Sequence, residues 1–367
     1  MLFIILTSFL SGFYAAVLLW MLAGLQRLSK NASPEQPFVS VIVAARNEEE
    51  NIQNLIESLV DQSYPKDLYE IIITDDQSTD KTADLVREFD DERIQLLSTI
   101  DRENVRSPKK NAIKLGIEKS KGEIVLLTDA DCQPPQGWIT GIVEQFTPKV
   151  GMVIGFSPCE LPALDSIMNR LLAIESLSLA VVAAGTSGWG YPATCNGRNL
   201  AYRKKVYEEV GGFEKIDHFV SGDDDLLLKL VQKTEWKIHY AYEQRLVVPT
   251  ALVKNLTQFA NQRLRHASKG FHYEMKKVIG LVAVYLYNVL VFLSLPLAIF
   301  TNISLWTPVI VIGIKSFFEF LVLFRFASKM GRRKFLWSFP VAEFLHVPYV
   351  VLFGAAGPFK KFKWKDN

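Results

Sequence analysis

Two stretches without charge bracket this chain and limit what it can become. Residues 1–26 hold no Asp, Glu, Lys or Arg, and neither do the 37 residues from Val278 to Ile314. A helix needs about 20 apolar residues to cross the roughly 30 Å hydrocarbon core of a bilayer. The first stretch is therefore expected to cross once. The second is expected to open two spans, VIGLVAVYLYNVLVFLSLPLAIF and then Leu305 to Phe326, turning at Thr301-Asn302. A cleaved signal peptide competes for residues 1–26, but no basic residue precedes the run, the run is long, and Arg27 and Lys30 follow it; an uncleaved anchor is expected. Lys315 and Glu319 fall inside the later span at i,i+4 spacing and can pair on one face. A last apolar stretch, Phe335 to Phe359, contains Glu343, His346, Pro340, Pro348 and Pro358, interruptions that predict a broken or re-entrant segment.

Basic residues set the expected orientation. Arg27 and Lys30 flank the first span, and Lys329, Arg332, Arg333 and Lys334 follow the third. Positive flanks stay cytoplasmic, which places the intervening chain in the cytosol, with a bacterial inner membrane as the expected location. The basic tail Lys360, Lys361, Lys363 and Lys365 fits a hairpin that returns to the same side. The expected layout is an anchor over 1–26, a globular domain over 31–252, an amphipathic surface segment over 253–277, a membrane region over 278–359 and a basic tail over 360–367. In that layout the sequons at Asn31 and Asn255 carry no meaning. With 41 basic against 39 acidic side chains, net charge gives no case for a nucleic-acid partner, and three scattered cysteines (Cys132, Cys159, Cys195) are too few for a disulfide framework or zinc cluster.

The middle of the chain alternates. Phe38–Ala45 reads as a buried strand, followed by an amphipathic helix bearing Ile52, Leu55, Ile56 and Leu59. Tyr69–Thr74 is a second strand; Ser78 or Thr79 can cap the next helix, which carries Ala83, Val86 and Phe89. Arg93–Leu97, a helix over 109–119 and a strand over Glu123–Thr128 complete a β-α-β-α-β-α-β order. Such alternation implies an α/β fold with a mostly parallel sheet, and ligands of such sheets bind at the carboxyl ends of strands. Arg46–Glu48, Asp75/Asp76 and Asp129/Asp131 all fall there, which predicts one shared cleft.

These clusters suit a particular chemistry. Asp129-Ala-Asp131 turns alternate carboxylates toward one hard cation, and Mg2+ or Mn2+ takes one or two protein carboxylates plus phosphate oxygens; a decorated loop is the plain alternative. Asp75 and Asp76 can accept from a base ring N–H, although Asp-Asp-Gln-Ser-Thr-Asp also reads as a capped turn. Lys109 or Lys110 opens the third helix, where a cation can meet a diphosphate or simply face water. Asp223-Asp224-Asp225 suits a helix N-terminus and equally a general base that takes a proton from an acceptor hydroxyl. Arg263 and Arg265 can pair with a diphosphate or with lipid headgroups.

In order along the chain, VSVIVAARNEEENI, IIITDDQSTDKT, KKNAI, LLTDADCQPPQGWI, CNGRNLAYRKKVYEEVGGF, SGDDDLLLKL and NQRLRH resemble the family 2 glycosyltransferases. More narrowly, the chain looks like the membrane-anchored branch that includes cellulose, chitin, hyaluronan and poly-N-acetylglucosamine synthases and ceramide glucosyltransferases. The resemblance covers about residues 37–270. It implies a GT-A fold, an inverting mechanism, a nucleotide-diphosphate sugar donor, expected to be UDP-linked, and a lipid-linked or membrane-associated acceptor. Carried over by position, Ala44, Arg46 and Glu48 line the nucleotide pocket, Asp75 or Asp76 meets the base, and Lys109 fits the nucleotide-contacting lysine better than Lys110. Asp129 and Asp131 take the D-x-D role in donor and metal binding, Asp131 as the more direct ligand. Asp223 is the base and Asp225 a supporting carboxylate, with Asp224 beside them. Asn196, Gly197, Asn199, Gln262, Arg263 and Arg265 fall at acceptor or diphosphate positions. Gly222 stands where the family has glutamate, and His266 where it has tryptophan, which sets processive addition in question. A binding or scaffold subunit that grips a nucleotide without turnover is the alternative from another class. A sugar nucleotidyltransferase shares the sheet but leaves the apolar segments unexplained.

Overall fold

The computed structural model describes residues 2–100, 105–161, 166–220, 222–252 and 275–356. At its centre is a seven-stranded sheet in the order β3-β2-β1-β4-β7-β5-β8. The strands are β1 (Val39–Ala45), β2 (Tyr69–Asp75), β3 (Ile94–Ser98), β4 (Ile124–Leu127), β5 (Val150–Ile154), β7 (Leu200–Arg203) and β8 (Lys237–Tyr240). A separate ribbon pairs β6 (Cys159–Leu161) with β9 (Thr250–Ala251). Strands β3, β2, β1 and β4 run parallel, as the alternating sequence demands. Strand β7 runs against both neighbours. That reversal positions the site: Leu200, where β7 begins, pairs with Leu127, where β4 ends, so the loop before β7 arrives at the carboxyl edge of the parallel strands.

Helix α2 (Ile52–Val60) buries the four apolar residues its periodicity marked, Ile52, Leu55, Ile56 and Leu59. Helix α3 (Thr82–Arg87) starts differently from expectation. Neither Ser78 nor Thr79 caps it; Asp80 Oδ1 accepts from Thr82 N at 2.9 Å, while Ser78 Oγ accepts from Asn47 N at 3.0 Å across the cleft rim. Helix α4 (Pro108–Lys119) takes proline at its first turn, where a missing N–H costs nothing. Helices α5 (Trp138–Val143), α6 (Ile167–Ser187), α7 (Lys204–Glu209) and α8 (Asp225–Val231) complete the domain.

Among the described residues, four helices are long and apolar enough to cross a membrane: Phe3–Arg27, Ile167–Ser187, Val278–Phe300 and Arg333–Ala355. The first and third coincide with two of the expected apolar runs, whereas the expected span Leu305 to Phe326 is not among the four. The second, inside α6, lies in sequence that reads as ordinary globular chain. Helix α1 (Leu2–Arg27) meets α6 where Gly24 faces Gly185 and Gly188 so closely that a Cβ on Gly24 would fall 1.9 Å from the Gly185 carbonyl oxygen. Small residues of this kind let two backbones touch. After α9 (Met275–Phe300) comes α10 (Trp306–Lys329), with Lys315 and Glu319 paired at 2.8 Å as their spacing predicted. A 3-10 turn over Arg333–Ser338 then leads into α11 (Phe339–Ala356), a helix that keeps Pro348 within it.

One face of the sheet and the helical bundle share a core. Ile42, Val125, Leu127, Met152, Ile154 and Phe156 pack in the same cluster as Leu18, Leu25, Leu177, Phe326 and Phe335. Phe156 and Tyr242 both lie against the Phe326 ring, with centroids 5.3 and 5.4 Å away, and Arg332 pairs with Glu160 at 2.6 Å. The opposite face, built from Val39, Val41 and Val43, packs on α2 and α5. The cleft is thus mounted rigidly on the apolar helices, because its own core continues into them.

Candidate active site

The rim of the cleft is formed by two loops at the ends of β1 and β2. Asn47 (φ 50°) and Gln77 (φ 54°) adopt the left-handed conformation that turns each chain out of its strand. The loops are stitched together: Glu48 N donates to Thr82 Oγ1 at 2.8 Å, Thr79 N to Asn47 Oδ1 at 2.9 Å, and Arg46 Nη1 to the Asp76 carbonyl at 2.7 Å. The Arg46 Nε–H is buried and meets no acceptor among the described residues. Ala44 lies in register with Thr74, one residue before Asp75. Both Asp75 oxygens accept from Ser78 N, at 3.2 and 3.3 Å, so this carboxylate shapes the turn. Asp76 Oδ1 accepts from Thr99 Oγ1 at 3.0 Å, deep in the rim.

Beyond β4, Asp129 and Asp131 stand beside two segments brought from far along the chain. Lys109, on the first turn of α4, places Nζ 2.6 Å from Asp129 Oδ1 and 3.6 Å from Asp223 Oδ2. Burial alone would weaken this ammonium; Asp129 and Asp223 outweigh it and hold the proton well above the ordinary lysine range. The neighbouring Lys110 is buried and spends its ammonium on the Ile216 and Phe219 carbonyls, both at 2.5 Å, outside the cleft. Of the two lysines, Lys109 is the one in the site.

Asp131 Oδ1 accepts from Thr250 Oγ1 at 3.1 Å, with the Cys132 thiol 3.6 Å away. Burial, and then the charge on Asp129, push the Asp131 carboxyl above its usual value. Asp129 Oδ1 meets Lys109 and Asp131 Oδ1 meets Thr250, while the second oxygen of each carboxylate meets no donor among the described residues and is left for a hard cation. That donor set fits Mg2+ or Mn2+.

The three aspartates at the start of α8 divide their tasks. Asp225 Oδ1 accepts from Thr194 Oγ1 at 2.7 Å and Cys195 N at 2.9 Å, fixing the approach to β7. Asp224 caps α8 and its Oδ2 accepts from Gly197 N at 3.3 Å. Asp223 is left facing Lys109, and a Cβ on Gly197 would sit 3.2 Å from its carboxylate. Gly222, at φ +99°, explains its departure from glutamate: a side chain there would be strained and would fall 2.6 Å from Leu226.

Asn196 Oδ1 accepts from Arg198 N at 3.2 Å and so closes the 3-10 turn Gly197–Asn199. The Asn199 amide is spent on the fold: it donates to the Phe156 and Leu246 carbonyls at 3.0 and 2.8 Å and accepts from Trp138 Nε1 at 3.0 Å. It holds the loop rather than facing the cleft. Gln262, Arg263 and Arg265 lie outside the described residues. The sequence reading passed over Arg198 and Thr250, whose signals were their positions inside CNGRN and before the 253–277 segment.

Residues 40–211 match the family model described as Glycosyl transferase family 2. The chain is 30% identical to "Probable glycosyltransferase YdaM" of Bacillus subtilis over 200 residues, which cover 53% of this chain and 47% of that protein. It is 32% identical over 243 residues to the beta-monoglucosyldiacylglycerol synthase of Nostoc sp., covering 64% of this chain and 49% of the relative. The chain thus spans about half the length of these two curated relatives. Among solved structures, the mannosyltransferase PcManGT from Pyrobaculum calidifontis, in complex with GDP-Man and Mn2+, superposes with a TM-score of 0.60 at 18% identity, over 94% of this chain and 99% of that one. At that identity the likeness is one of fold, and the fold is GT-A.

Proposed function

We propose, from the premise that this chain carries a family 2 glycosyltransferase domain, that it transfers a hexosyl group from a UDP-linked sugar to a lipid-linked or membrane-associated acceptor, with inversion, in one displacement. The carrying observation is the Lys109 ammonium, within 4.0 Å of a D-x-D carboxylate and of the first aspartate before α8. It ties the donor end of the cleft to the acceptor end.

In this reading the rim binds the nucleotide. Arg46, whose buried Nε–H is without an acceptor among the described residues, and Asp76 face the base and ribose, with Ala44 and Glu48 beside them. Asp129 and Asp131 would hold a divalent ion, which supplies positive charge against the diphosphate. Lys109 adds a fixed cation beside the bond that breaks, and preorganised charge of this kind lowers the barrier without reorganisation. Asp223 takes the proton of the acceptor hydroxyl as its oxygen attacks the anomeric carbon; Asp225 and Asp224 keep that loop in place. The shared core then sets the cleft at a fixed distance from the bilayer, on the cytoplasmic side by the basic residues that flank the apolar helices, where an acceptor with a lipid tail reaches it.

A panel of UDP- and GDP-sugars, incubated with purified protein, Mn2+ and a membrane lipid extract, tests this. The expected result is one UDP-sugar whose hexose appears in the lipid fraction by mass spectrometry, with UDP released. UDP binding without turnover of any donor would instead support a scaffold role.

A further inference from the structure

Arg198 reaches the Asp131 end of the cleft: its guanidinium meets Cys159, Cys159 pairs with Thr250, and the Thr250 hydroxyl donates to Asp131. Its backbone is immobilised: Asn196 closes its turn, Asp224 holds Gly197, and the Asn199 amide is pinned by three hydrogen bonds. The guanidinium is partly buried, and its hydrogen-bond contact among the described residues is Nη1 to Cys159 Sγ at 3.6 Å. A thiol is a weak acceptor, and guanidinium has five N–H donors in a fork suited to phosphate or carboxylate. No carboxylate pairs with it among the described residues, unlike Arg203, Arg245 and Arg332, which pair with Glu123, Glu144 and Glu160. The groups nearest in electrostatic effect are Cys159, Cys132, Asp131 and Asp129. Lys109 answers Asp129 and Asp223 instead. The acidic pair is thus flanked by two cations, Lys109 beside Asp129 and Arg198 beside Asp131.

We propose that Arg198 binds phosphate oxygens in the cleft and that these belong to the diphosphate of the nucleotide-sugar donor. This rests on the transferase reading above. A guanidinium near two carboxylates, in ion-pair contact with neither among the described residues, keeps N–H donors for the oxygens of a ligand. A diphosphate bound beside Asp129 and Asp131 would come within reach of those donors. Charge-assisted hydrogen bonds of this type are the strong ones, so Arg198 favours the leaving group as negative charge builds on it. An acceptor carrying a lipid phosphate offers the same chemistry from the other side of the cleft, and the two sources separate experimentally.

The experiment is calorimetric titration of full-length protein in detergent with UDP, UMP and uridine, and with GDP, GMP and guanosine, in EDTA and in Mn2+. For Arg198→Gln, nucleoside diphosphate affinity is expected to fall about 10- to 100-fold, the worth of one or two hydrogen bonds to a charged group. Nucleoside affinity should stay within about twofold, and the loss should persist in EDTA. Arg198→Lys keeps the charge without the fork and should lose less. Cys159→Ala removes the thiol contact and should leave diphosphate affinity within about twofold. If Arg198→Gln does not fold, the Lys and Cys159→Ala variants carry the same comparison. Equal diphosphate affinity for wild type and variant overturns the assignment. So does an equal loss for uridine and UDP, the mark of a structural role, or a loss confined to the KM of a phosphorylated lipid acceptor. Wild type that binds neither UDP nor GDP overturns the transferase reading itself, and is thereby told apart from failure at Arg198 alone.

Discussion

Among the described residues, two lysines are set between pairs of carboxylates, and their surroundings differ. In the cleft, Lys109 lies between Asp129 and Asp223, with side chains 27%, 31% and 10% exposed. In the helical bundle, Lys315 lies between Glu319 and Glu343, 2.8 Å from each, with side chains 0%, 12% and 9% exposed. His346 Nδ1 is 3.3 Å from the same ammonium, and Tyr14 of α1 reaches Glu319. The bundle group joins α1, α10 and α11 and is closed around its own charges. The cleft group keeps an open side, and one oxygen each of Asp129 and Asp131 meets no donor among the described residues. Similar residues serve two ends: sealed from solvent, a lysine between carboxylates fixes the register of helices; at a sheet's carboxyl edge, it prepares a surface for a charged substrate.

Exchanging one residue in each place sharpens the contrast. Lys109→Met is expected to cut transfer about 100-fold, the range for a lost transition-state charge contact, with a melting temperature close to wild type because the site is partly solvated. Lys315→Met is expected to do the reverse. Leaving Glu319 and Glu343 buried without their partner costs about 3–5 kcal/mol, read by thermal unfolding in detergent, while the folded fraction keeps its specific activity. Replacing Lys315, Glu319 and Glu343 together with apolar residues of similar size should recover most of that loss. A triple variant as unstable as the single one would show that the bundle charges do more than pair with each other.

The smallest effect is on acid stability. Burial lowers His239 of β8 to about 4. The unfolded chain then binds the proton more readily than the fold does. Stability should be full above about pH 6.5 and decline as pH falls toward 4, by on the order of 1 kcal/mol for this partly buried ring. Melting curves between pH 7 and pH 4.5 for wild type and His239→Gln would check this; parallel curves would remove His239 as the cause.

Much of the cleft was legible because strand ends are local events. A β-branched run followed by a polar cluster marks both the strand and the edge where it stops, and Asp75, Asp76, Asp129 and Asp131 fall where that rule puts them. The order of motifs brought in Asp223 and preferred Lys109 over Lys110, and the structure places Lys109 in the cleft. What was not legible depended on partners distant in sequence. Helix α6 holds Arg170 and Glu175 inside an apolar run, and nothing local says that Gly185 and Gly188 will meet Gly24. Asn199 matched a motif, yet its role is decided by Trp138, Phe156 and Leu246. Arg198 drew no notice because an arginine looks solvated until its half-buried place against Cys159, with no carboxylate in ion-pair contact among the described residues, is visible in three dimensions. Asp80, not Ser78 or Thr79, starts α3 because Ser78 is drawn across to Asn47.

The convergence of Lys109, Asp129 and Asp223 is tested most directly by measuring transfer and UDP affinity on the same preparation of Asp223→Asn. Loss of the base should reduce transfer by about 10²- to 10⁴-fold while UDP binds within about twofold of wild type. Transfer at the wild-type rate, or a parallel collapse of UDP binding, would remove Asp223 from the role of base and contradict the mechanism built around it.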